Sequence, residues 1–326
     1  MSDVLGERRQ LIGLAYRLLG SLSDAEDVVQ EAYGRWFALS APQRQAIERP
    51  GAWLTTVASR LCLDLLGSAR ARRERYVGEW LPEPLPADGL TDPADHVTLD
   101  ESVTMAFLIV CASMTPAERV AFVLHDVFGY PFAEVAGVLG RTAAACRQLA
   151  TSARRRVRAA APVTAPAGSA EVVRAFKEAW EAKDIAGLVG LLDPSATAVA
   201  DGGGLATTVL RPVSGGEQVA RYTVDITERI PAMTLVERTV NGWPGLVAER
   251  DGVVVTVMAF DVAGGVVRRI WAVRNPEKLR PWRAGSGGQP RPVGSSEMGG
   301  TAPASASAQR FRVISSENGS LSIPRD

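Results

Sequence analysis

The segment "RTAAACRQLATSARRRVRAA", residues 141–160, carries six arginines and no acidic residue. The acid-free stretch around it extends from Val135 to Ala170, although the whole chain balances 36 basic against 36 acidic residues. Solvated surface helices usually mix both signs, with Glu placed four residues before Lys or Arg. This concentration of positive charge therefore predicts a surface that binds an anionic partner.

The spacing of apolar residues predicts a helix-turn-helix here. Upstream, "GYPFAEVAGVLG" (residues 129–140) predicts a short helix that Gly140 ends, and Thr142 suits the cap of the next helix. In that second helix one face is apolar and the other cationic, which is typical of DNA-reading helices, although a solvated arginine-rich helix is the alternative. The candidate DNA contacts are Arg141, Thr142, Arg147, Gln148, Thr151, Arg154, Arg155 and Arg158.

Length and composition predict a multi-domain protein of two all-α domains and one α+β domain. The periodicity of the 326 residues predicts a helical unit at 1–75, a proline-rich linker at 76–98, a helix-turn-helix unit at 99–161, an α+β domain at 168–282 and a disordered tail at 283–326. Within the α+β domain, a helix is expected over residues 169–192 and strands over 232–274.

Several classes of protein are disfavoured. No apolar run approaches the roughly 20 residues that span a bilayer, and the N-terminus lacks the pattern of a secretory signal, so a cytoplasmic protein without membrane attachment is expected. Cys62, Cys111 and Cys146 match no metal-ligand spacing and are interpreted as reduced core residues. Neither a metal nor a cofactor is expected.

A second basic segment, "SRLCLDLLGSARARRERY" (residues 59–76), closes the first helical unit. Trp53 and Tyr76 flank it, and an aromatic ring beside cations can stack on an unpaired base, although Trp53 also suits a core position. The candidate DNA contacts of this unit are Trp53, Arg60, Asp64, Arg70, Arg72 and Arg73.

Upstream, "SLSDAEDVVQEAY" (residues 21–33) concentrates acids that helix capping explains only in part. Ser23 or Asp24 is expected to cap this helix. The remaining acids indicate a docking surface for a basic protein partner.

These motifs together resemble an RNA polymerase sigma factor of the extracytoplasmic-function group. "LLGSLSDAEDVVQEAY" resembles the part of sigma region 2 that docks on the β′ clamp, "PGAWLTTVASRLCLDLL" with "ARARRE" resembles the part that melts the −10 element, and residues 114–157 resemble region 4, which reads the −35 element. The resemblance implies binding to core RNA polymerase, through the β′ clamp and the β flap, and to promoter DNA. The implied polymerase contacts are Asp24, Glu26, Asp27, Gln30 and Glu31.

The C-terminal domain resembles the SnoaL-like cone fold, and three further motifs resemble those of the sigma-J type, in which such a domain is fused to the sigma factor. The motifs are "WLPEPL" (80–85), "DGGG" (201–204), which Leu205 follows where that subgroup usually has lysine, and "NPEKL" (275–279). The implied regulatory contacts are Trp80, Leu81, Pro82, Glu83, Pro84, Asp201, Gly202, Gly203, Gly204, Asn275, Pro276, Glu277, Lys278 and Leu279.

The proline and glycine residues of two of these motifs restrict or free the backbone in ways that can be judged without the resemblance. Prolines 82 and 84 restrict the backbone of "WLPEPL", so this segment is expected to be extended. Its exposed Trp80 and Leu81 are expected to pack on another part of the protein, and the resemblance implies that this part is the C-terminal domain. Three consecutive glycines allow positive φ and close approach, which suits either a bulge or a contact loop, with a simple hairpin loop as the alternative.

The leading hypothesis is a promoter-specificity factor without catalytic activity, regulated in cis by its C-terminal domain. One alternative is an isomerase, a cyclase or a ligand-sensing domain fused to a DNA-binding module, with Asp201, Asp225 or Glu237 as the general base of an enzyme. A small-molecule ligand of the C-terminal domain is left open. A stand-alone repressor is the third hypothesis, but it would leave the acidic patch unexplained.

Overall fold

The computed structural model describes residues 7–73, 76–86, 103–160, 167–229 and 232–283. Two helical units precede a domain of helices and one sheet, which confirms the predicted fold class. The expected disorder of the tail concerns residues 284–326, which lie outside the described residues.

The first helical unit contains α1 (Arg8–Leu19), α2 (Leu22–Ala38), α3 (Ala41–Gln45) and α4 (Pro50–Arg73). Gly20, at φ 71°, ends α1 in the left-handed region that glycine tolerates. The cap of α2 is Ser21, whose Oγ accepts a hydrogen bond from the Asp24 amide at 3.2 Å. The prediction of Ser23 or Asp24 as the cap was therefore wrong, because the helix begins two residues earlier.

The second unit contains α5 (Met105–Ala112), α6 (Pro116–Phe122), a π-helical turn (Val123–Val127), α7 (Phe132–Leu139) and α8 (Ala143–Ala160). Gly140, at φ 61°, ends α7, and Thr142 Oγ1 accepts from the Ala145 amide at 3.2 Å at the start of α8. Cys146 and Ala153 are fully buried on the inner face of α8. These features confirm the predicted helix-turn-helix.

In its described residues, the C-terminal domain contains four helices and six strands. The helices are α9 (Ser169–Glu181), α10 (Ile185–Leu191), α11 (Gly216–Arg229) and α12 (Arg280–Arg283). The strands are β1 (Leu192–Asp201), β2 (Val213–Ser214), β3 (Thr234–Val240), β4 (Trp243–Arg250), β5 (Val253–Ala263) and β6 (Val266–Val273), in the order β2-β1-β6-β5-β4-β3. β1 runs parallel to β6, and the other pairs are antiparallel.

Two predictions for this domain need correction. The single helix expected over residues 169–192 is divided, because Lys183 takes a positive φ of 53° and Asp184 caps α10 through its side chain. β1 was not predicted at all, whereas β3 to β6 fall within the range expected for strands.

The sheet is buried on both faces. Side chains alternate along its strands, so Leu246 and Met258 pack against the domain's own helices, whereas Val247 and Val257 point to the opposite face. That opposite face packs with Leu81 of the linker and with Met105 and Ala106 of α5. The linker and the second helical unit therefore complete the core of the C-terminal domain.

The three cysteines are buried and unpaired, and burial raises the pKa of the Cys111 thiol to about 12. In the part of the chain that the structure describes, no helix has the length and apolar character needed to span a membrane. The same residues contain no group of His, Cys, Asp and Glu that could hold a metal ion.

Candidate functional site

The outer face of α8 presents most of the predicted DNA contacts to solvent. Arg141, Thr142, Arg147, Gln148, Thr151, Arg155 and Arg158 are all exposed. Thr142 and Thr151 also bind backbone: Thr142 Oγ1 caps the helix, and Thr151 Oγ1 donates to the Arg147 carbonyl at 2.8 Å. The free donors on this face are therefore mainly guanidinium groups and the Gln148 amide.

Arg154 differs from its neighbours because it is partly buried and paired. Its Nε lies 2.5 Å from Asp126 Oδ1 in the π-helical turn. Arg147 lies over the ring of Phe132, 5.3 Å from the centroid, so α7 orients this cation. Sequence reasoning did not single out Arg156, an exposed residue whose Nε lies 3.9 Å from Glu118 Oε2.

The predicted contacts of the first helical unit lie along α4. Trp53 is half-buried, with its ring centroid 5.4 Å from that of Trp36, so it is partly a core residue. Asp64 is exposed. The side chains of Arg70, Arg72 and Arg73 lie outside the described part of the structure.

The two helical units contact each other directly, through α4 and α1 of the first unit and residues 119–137 of the second. Arg60 Nη2 donates to the Gly137 carbonyl in α7 at 2.8 Å, and the Tyr130 hydroxyl donates to Thr55 Oγ1 at 2.9 Å. Arg119 is buried and donates to the Leu18 carbonyl at 2.8 Å. One continuous core joins both units. A predicted −10 contact, Arg60, is thus engaged by the helix-turn-helix.

The acidic patch occupies the outer side of α2. Asp27, Gln30 and Glu31 are exposed, whereas Asp24 and Glu26 are half-buried. Glu31 pairs with Arg35 at 2.8 Å, one turn later. Val28 and Val29 are buried below the patch and pack this helix against α1, so the acids lie on a helix that the core holds in place.

The linker meets the C-terminal domain at a cluster that we call the linker clamp: Tyr76, Leu81, Asp201, Asn275 and Lys278. Asp201 is fully buried at the end of β1; its Oδ1 accepts from the Tyr76 hydroxyl at 2.7 Å and its Oδ2 from the Leu81 amide at 2.9 Å. Lys278 Nζ lies 2.7 Å from Asp201 Oδ2 and donates to the Leu81 carbonyl at 2.5 Å. Asn275 Nδ2 donates to the Tyr76 hydroxyl at 2.9 Å.

Aromatic rings cover the cation of the linker clamp. Lys278 Nζ lies 4.3 Å from the ring centroid of Trp80 and 5.1 Å from that of Tyr76. Burial, followed by the Asp201 carboxylate, raises the pKa of Tyr76 well above its ordinary value. Tyr76 was interpreted from the sequence as a base-stacking residue, but its hydroxyl binds Asp201.

Two of the three glycines have no room for a side chain. A Cβ on Gly202 would lie 2.3 Å from the Ala206 carbonyl oxygen, and one on Gly203, at φ 60°, would lie 2.3 Å from Asn275 Nδ2. Gly204 packs against Val77. Of the alternatives for this motif, the structure has a contact loop.

The "WLPEPL" segment also contacts the first helical unit. Glu83 is buried; its Oε2 accepts from the Leu22 amide at 2.8 Å, and its backbone carbonyl accepts from the Tyr16 hydroxyl at 2.6 Å. Burial raises the pKa of Glu83 to about 7, although the Leu22 amide and Lys278 oppose the shift. Trp80 packs on Gly20. The segment therefore lies between the first helical unit and the C-terminal domain.

Asn241 and Trp282 bind this segment from the C-terminal domain, and sequence reasoning missed both. Asn241 Oδ1 accepts from the Leu85 amide at 3.1 Å, and Asn241 Nδ2 donates to the Tyr16 hydroxyl at 2.9 Å. Trp282 Nε1 donates to the Pro84 carbonyl at 2.8 Å. Asn241 belongs to an Asn-Gly turn, so its sequence signal indicated a hairpin and no contact.

The rest of "NPEKL" fixes the end of the domain. Leu279 is fully buried beside Leu81 and Trp282, whereas Pro276 is half-buried and Glu277 is exposed. The Asn275 amide donates to the Asp201 carbonyl at 3.0 Å, so this turn and the glycine loop support each other.

Between its helices and the sheet, the C-terminal domain encloses an apolar cavity of about 50 Å³. Its polar lining groups belong to Tyr222, Thr223, Thr256 and Arg274. Among the described lining residues there is no Asp, Glu or His. Asp225 and Glu237 are exposed, and Asp201 lies in the linker clamp, so none of the three candidate bases lines this cavity.

Each of the two helical units matches a known protein family in sequence. The model described as "Sigma-70 region 2" matches residues 4–72. The model described as "Sigma-70, region 4" matches residues 111–157, which include the helix-turn-helix.

Whole-chain relatives extend the match into the C-terminal domain. The ECF RNA polymerase sigma factor SigJ of Mycobacterium tuberculosis is 41% identical over 295 residues, which cover 86% of this chain and 93% of that protein. The probable ECF RNA polymerase sigma factor SigI of the same species is 38% identical over 286 residues, which cover 86% and 95%. The crystal structure of M. tuberculosis SigJ matches with a TM-score of 0.69 at 39% identity, covering 85% of this chain and 97% of that one. The chain therefore belongs to the extracytoplasmic-function sigma factors of the sigma-70 family, which bind core RNA polymerase and direct transcription from promoters.

Proposed function

We propose that the two basic surfaces divide promoter recognition between them. The face of α8 with Arg141, Thr142, Arg147, Gln148, Thr151, Arg154, Arg155 and Arg158 reads the −35 element, and α4 with Trp53, Arg60, Asp64, Arg70, Arg72 and Arg73 engages the −10 element. Exposure of the α8 guanidinium groups supports the first assignment, because arginine pairs with guanine edges and with phosphates.

The same proposal assigns the acidic face of α2, with Asp24, Glu26, Asp27, Gln30 and Glu31, to the β′ clamp of the polymerase, and the second helical unit to the β flap. Exposed carboxylates on a rigid helix suit a basic partner, since complementary charge speeds association and fixes orientation.

We further propose that the C-terminal domain restrains this factor in cis by holding the two DNA-binding units together. The observation that carries this proposal is the position of "WLPEPL": Glu83 binds the first unit while Leu81 binds Asp201 of the C-terminal domain. Opening the linker clamp would free the linker to extend.

The distance between the promoter elements explains why holding the two units together would restrain DNA binding. The −35 and −10 elements lie about 25 base pairs apart, more than two duplex turns of roughly 35 Å each. Arg60 and Gly137, one from each unit, are 2.8 Å apart in the present arrangement. Units in direct contact cannot reach both elements, so DNA binding requires them to separate.

Transcription with core RNA polymerase, on promoters mapped with this protein, tests both proposals. Replacing Arg147, Arg154 and Arg155 together by glutamate should abolish promoter-dependent transcripts. The matched control places the same three charge changes at Arg174, Arg221 and Arg238 of the C-terminal domain, which are exposed and outside the predicted DNA contacts. Equal transcription from both triple variants would contradict the assignment of α8.

For the restraint, the Asp201→Asn variant should give more transcript than the wild type at limiting protein concentration, from an unchanged start site. Asp225→Asn, an exposed position on α11, is the control. Transcript levels that do not differ between Asp201→Asn and the wild type at any concentration would refute the restraint without affecting promoter recognition.

We also propose that the C-terminal domain carries out no reaction of its own. General acid–base catalysis needs a titratable group in reach of the substrate, and the described lining of the cavity supplies none of the usual carboxylates or imidazoles. A ligand that binds without being converted remains consistent with this lining.

A further inference from the structure

The cavity of the C-terminal domain is mainly apolar, and Arg274 is the one charged residue in its described lining. Its apolar wall is formed by Phe176, Trp180, Ile226, Met233, Met258 and Ile270. Of the hydroxyls, that of Thr223 already donates to the Val219 carbonyl at 2.8 Å. An apolar cavity with one charged group favours a ligand with an apolar body and one charge.

Arg274 has unused hydrogen-bonding capacity. Its Nη1 donates to the Thr207 carbonyl, whereas its Nε is buried and has no hydrogen-bond partner among the described residues. No carboxylate of those residues pairs with it. A buried donor without a partner costs about 1–3 kcal/mol, and more when the group is charged.

The electrostatic surroundings favour an anion at this position. Burial lowers the pKa of the Arg274 guanidinium, the Tyr222 side chain opposes the shift, and Arg250 adds to the lowering. A ligand carboxylate would compensate this charge. Its two oxygens would match the fork of the guanidinium, which carboxylates bind through parallel N–H···O bonds.

We propose that this cavity binds a short-chain carboxylic acid, with its carboxylate on Arg274 and its apolar chain among the aromatic and aliphatic side chains. The volume sets how much of the chain is enclosed. A cavity of roughly 150 Å³ holds the six carbons of benzene, so a cavity of about 50 Å³ encloses about two carbons of the chain, and a longer chain would extend through its open side.

The cavity and the linker share one loop, residues 202–212. At the cavity, the Thr207 carbonyl accepts a hydrogen bond from Arg274 Nη1, and the Val209 backbone lies beside the Tyr222 hydroxyl. At the linker, the start of the same loop packs on Tyr76 and Val77, and Leu210 lies 3.5 Å from the Cβ position of Gly78. This loop therefore connects the mouth of the cavity to residues 76–78.

Arg274 also touches the linker clamp through its backbone. Its amide donates to the Asp201 carbonyl at 2.7 Å. A carboxylate that draws the guanidinium away from Thr207 would release the loop and loosen the linker clamp. This coupling rests on the cis restraint proposed above, whereas acid binding does not.

Calorimetric titration of the full-length protein tests the binding. Sodium salts of straight-chain acids from propanoate to hexanoate and 3-methylbutanoate would be compared with their amides, which keep the shape and lose the charge. At least one acid should bind saturably. Its amide should bind at least roughly tenfold more weakly, because hydrogen bonds to charged groups contribute about 1.5–3 kcal/mol. Absence of binding by every acid, or equal binding of acid and amide, would overturn the proposal.

Two variants locate the site. Arg274→Gln should weaken acid binding by about tenfold or more, whereas Arg268→Gln, an exposed position on the preceding strand β6, should not. Ala198→Leu fills the cavity from β1 and should abolish acid binding if Arg274→Gln proves unstable. Undiminished binding by either cavity variant would refute the location.

Hydrogen exchange measured by mass spectrometry tests the coupling separately. Saturating acid should speed exchange in residues 76–78 and 202–212 of the wild type and leave the Arg274→Gln variant unchanged. If the acid binds and exchange in these residues is not faster, the coupling is refuted, but the proposed binding site is not. The transcription experiments, which contain no added acid, decide the cis restraint independently.

Discussion

Replacing Asp201 with asparagine removes the negative charge from the linker clamp while keeping the size of the side chain. Asp201 is fully buried, and the side chain of its partner Lys278 is 11% exposed, with 2.7 Å between Nζ and Oδ2. Asparagine can still accept a hydrogen bond from Tyr76, but it cannot neutralise the lysine. The variant therefore leaves a nearly buried cation without its carboxylate.

The expected loss follows from this burial. Removing one partner of a buried ion pair destabilises a protein by about 3–5 kcal/mol, because the remaining charge is uncompensated. The acceptor that asparagine keeps favours the lower end, about 3 kcal/mol, which corresponds to a roughly hundredfold increase in the equilibrium constant for opening the linker clamp.

The Leu81 amide reports on this equilibrium directly, since it donates to Asp201 Oδ2. In native-state hydrogen exchange, the protection of residues 80–86 should fall by roughly a hundredfold in Asp201→Asn. The Asp225→Asn control should leave it unchanged. Protection within threefold of the wild type in Asp201→Asn would show that the ion pair does not hold the linker.

Three further perturbations test other parts of the structure. Because burial raises the pKa of Glu83 to about 7, the folded chain holds this proton more tightly than the unfolded chain, so the free energy of unfolding should fall by up to about 3 kcal/mol as pH rises from 4.5 to 7. Urea titrations of Glu83→Gln should lose that slope. Gly203→Ala should lower the melting temperature, since its φ is 60° and its Cβ would overlap a neighbour, whereas Gly190→Ala, where nothing lies within 4 Å, should not. Arg155→Gln should reduce the salt dependence of promoter binding by about 0.9 in log K per decade of salt, if this arginine binds one phosphate, and Arg174→Gln should have no effect.

The elements that the sequence predicted well are those with local signals. The helix-turn-helix follows from the apolar spacing of α8 and from Gly140, all within about 20 residues, and a helix terminus needs only its own cap. The hairpins of β4 to β6 follow equally from "RDG" and "AGG" between β-branched runs.

β1 escaped prediction because its pairing is distant and its composition is unusual for a strand. It contains Pro194 and Ser195, and it pairs in parallel with β6, as in Ala198 with Ile270. Proline and serine within a short run indicate a loop, so nothing local distinguished this strand.

The partners of the linker were harder still to predict. Tyr16 donates to Glu83 across 67 residues, and Asn241 donates to Tyr16 across 225. The prolines of "WLPEPL" indicated an extended segment, but the choice of partners depends on the packing of three units. Motif resemblance marked Asp201 and Lys278, whereas nothing in the sequence indicated that Tyr16, Asn241 and Trp282 contact the linker.

The chemistry of the linker clamp suits a contact that must open. Leu81, Leu279 and Trp282 supply apolar burial, which contributes about 1.5–3 kcal/mol for a fully buried aliphatic side chain. The Asp201–Lys278 pair regains hydration when the segment leaves, so its net contribution to holding is much smaller than its attraction at 2.7 Å implies. Its effect is mainly selective, because a different segment in this place would not supply the Tyr76 hydroxyl and the Leu81 amide and carbonyl that bind this buried pair. A linker held this way binds one position specifically and can still be released by a change at the neighbouring loop.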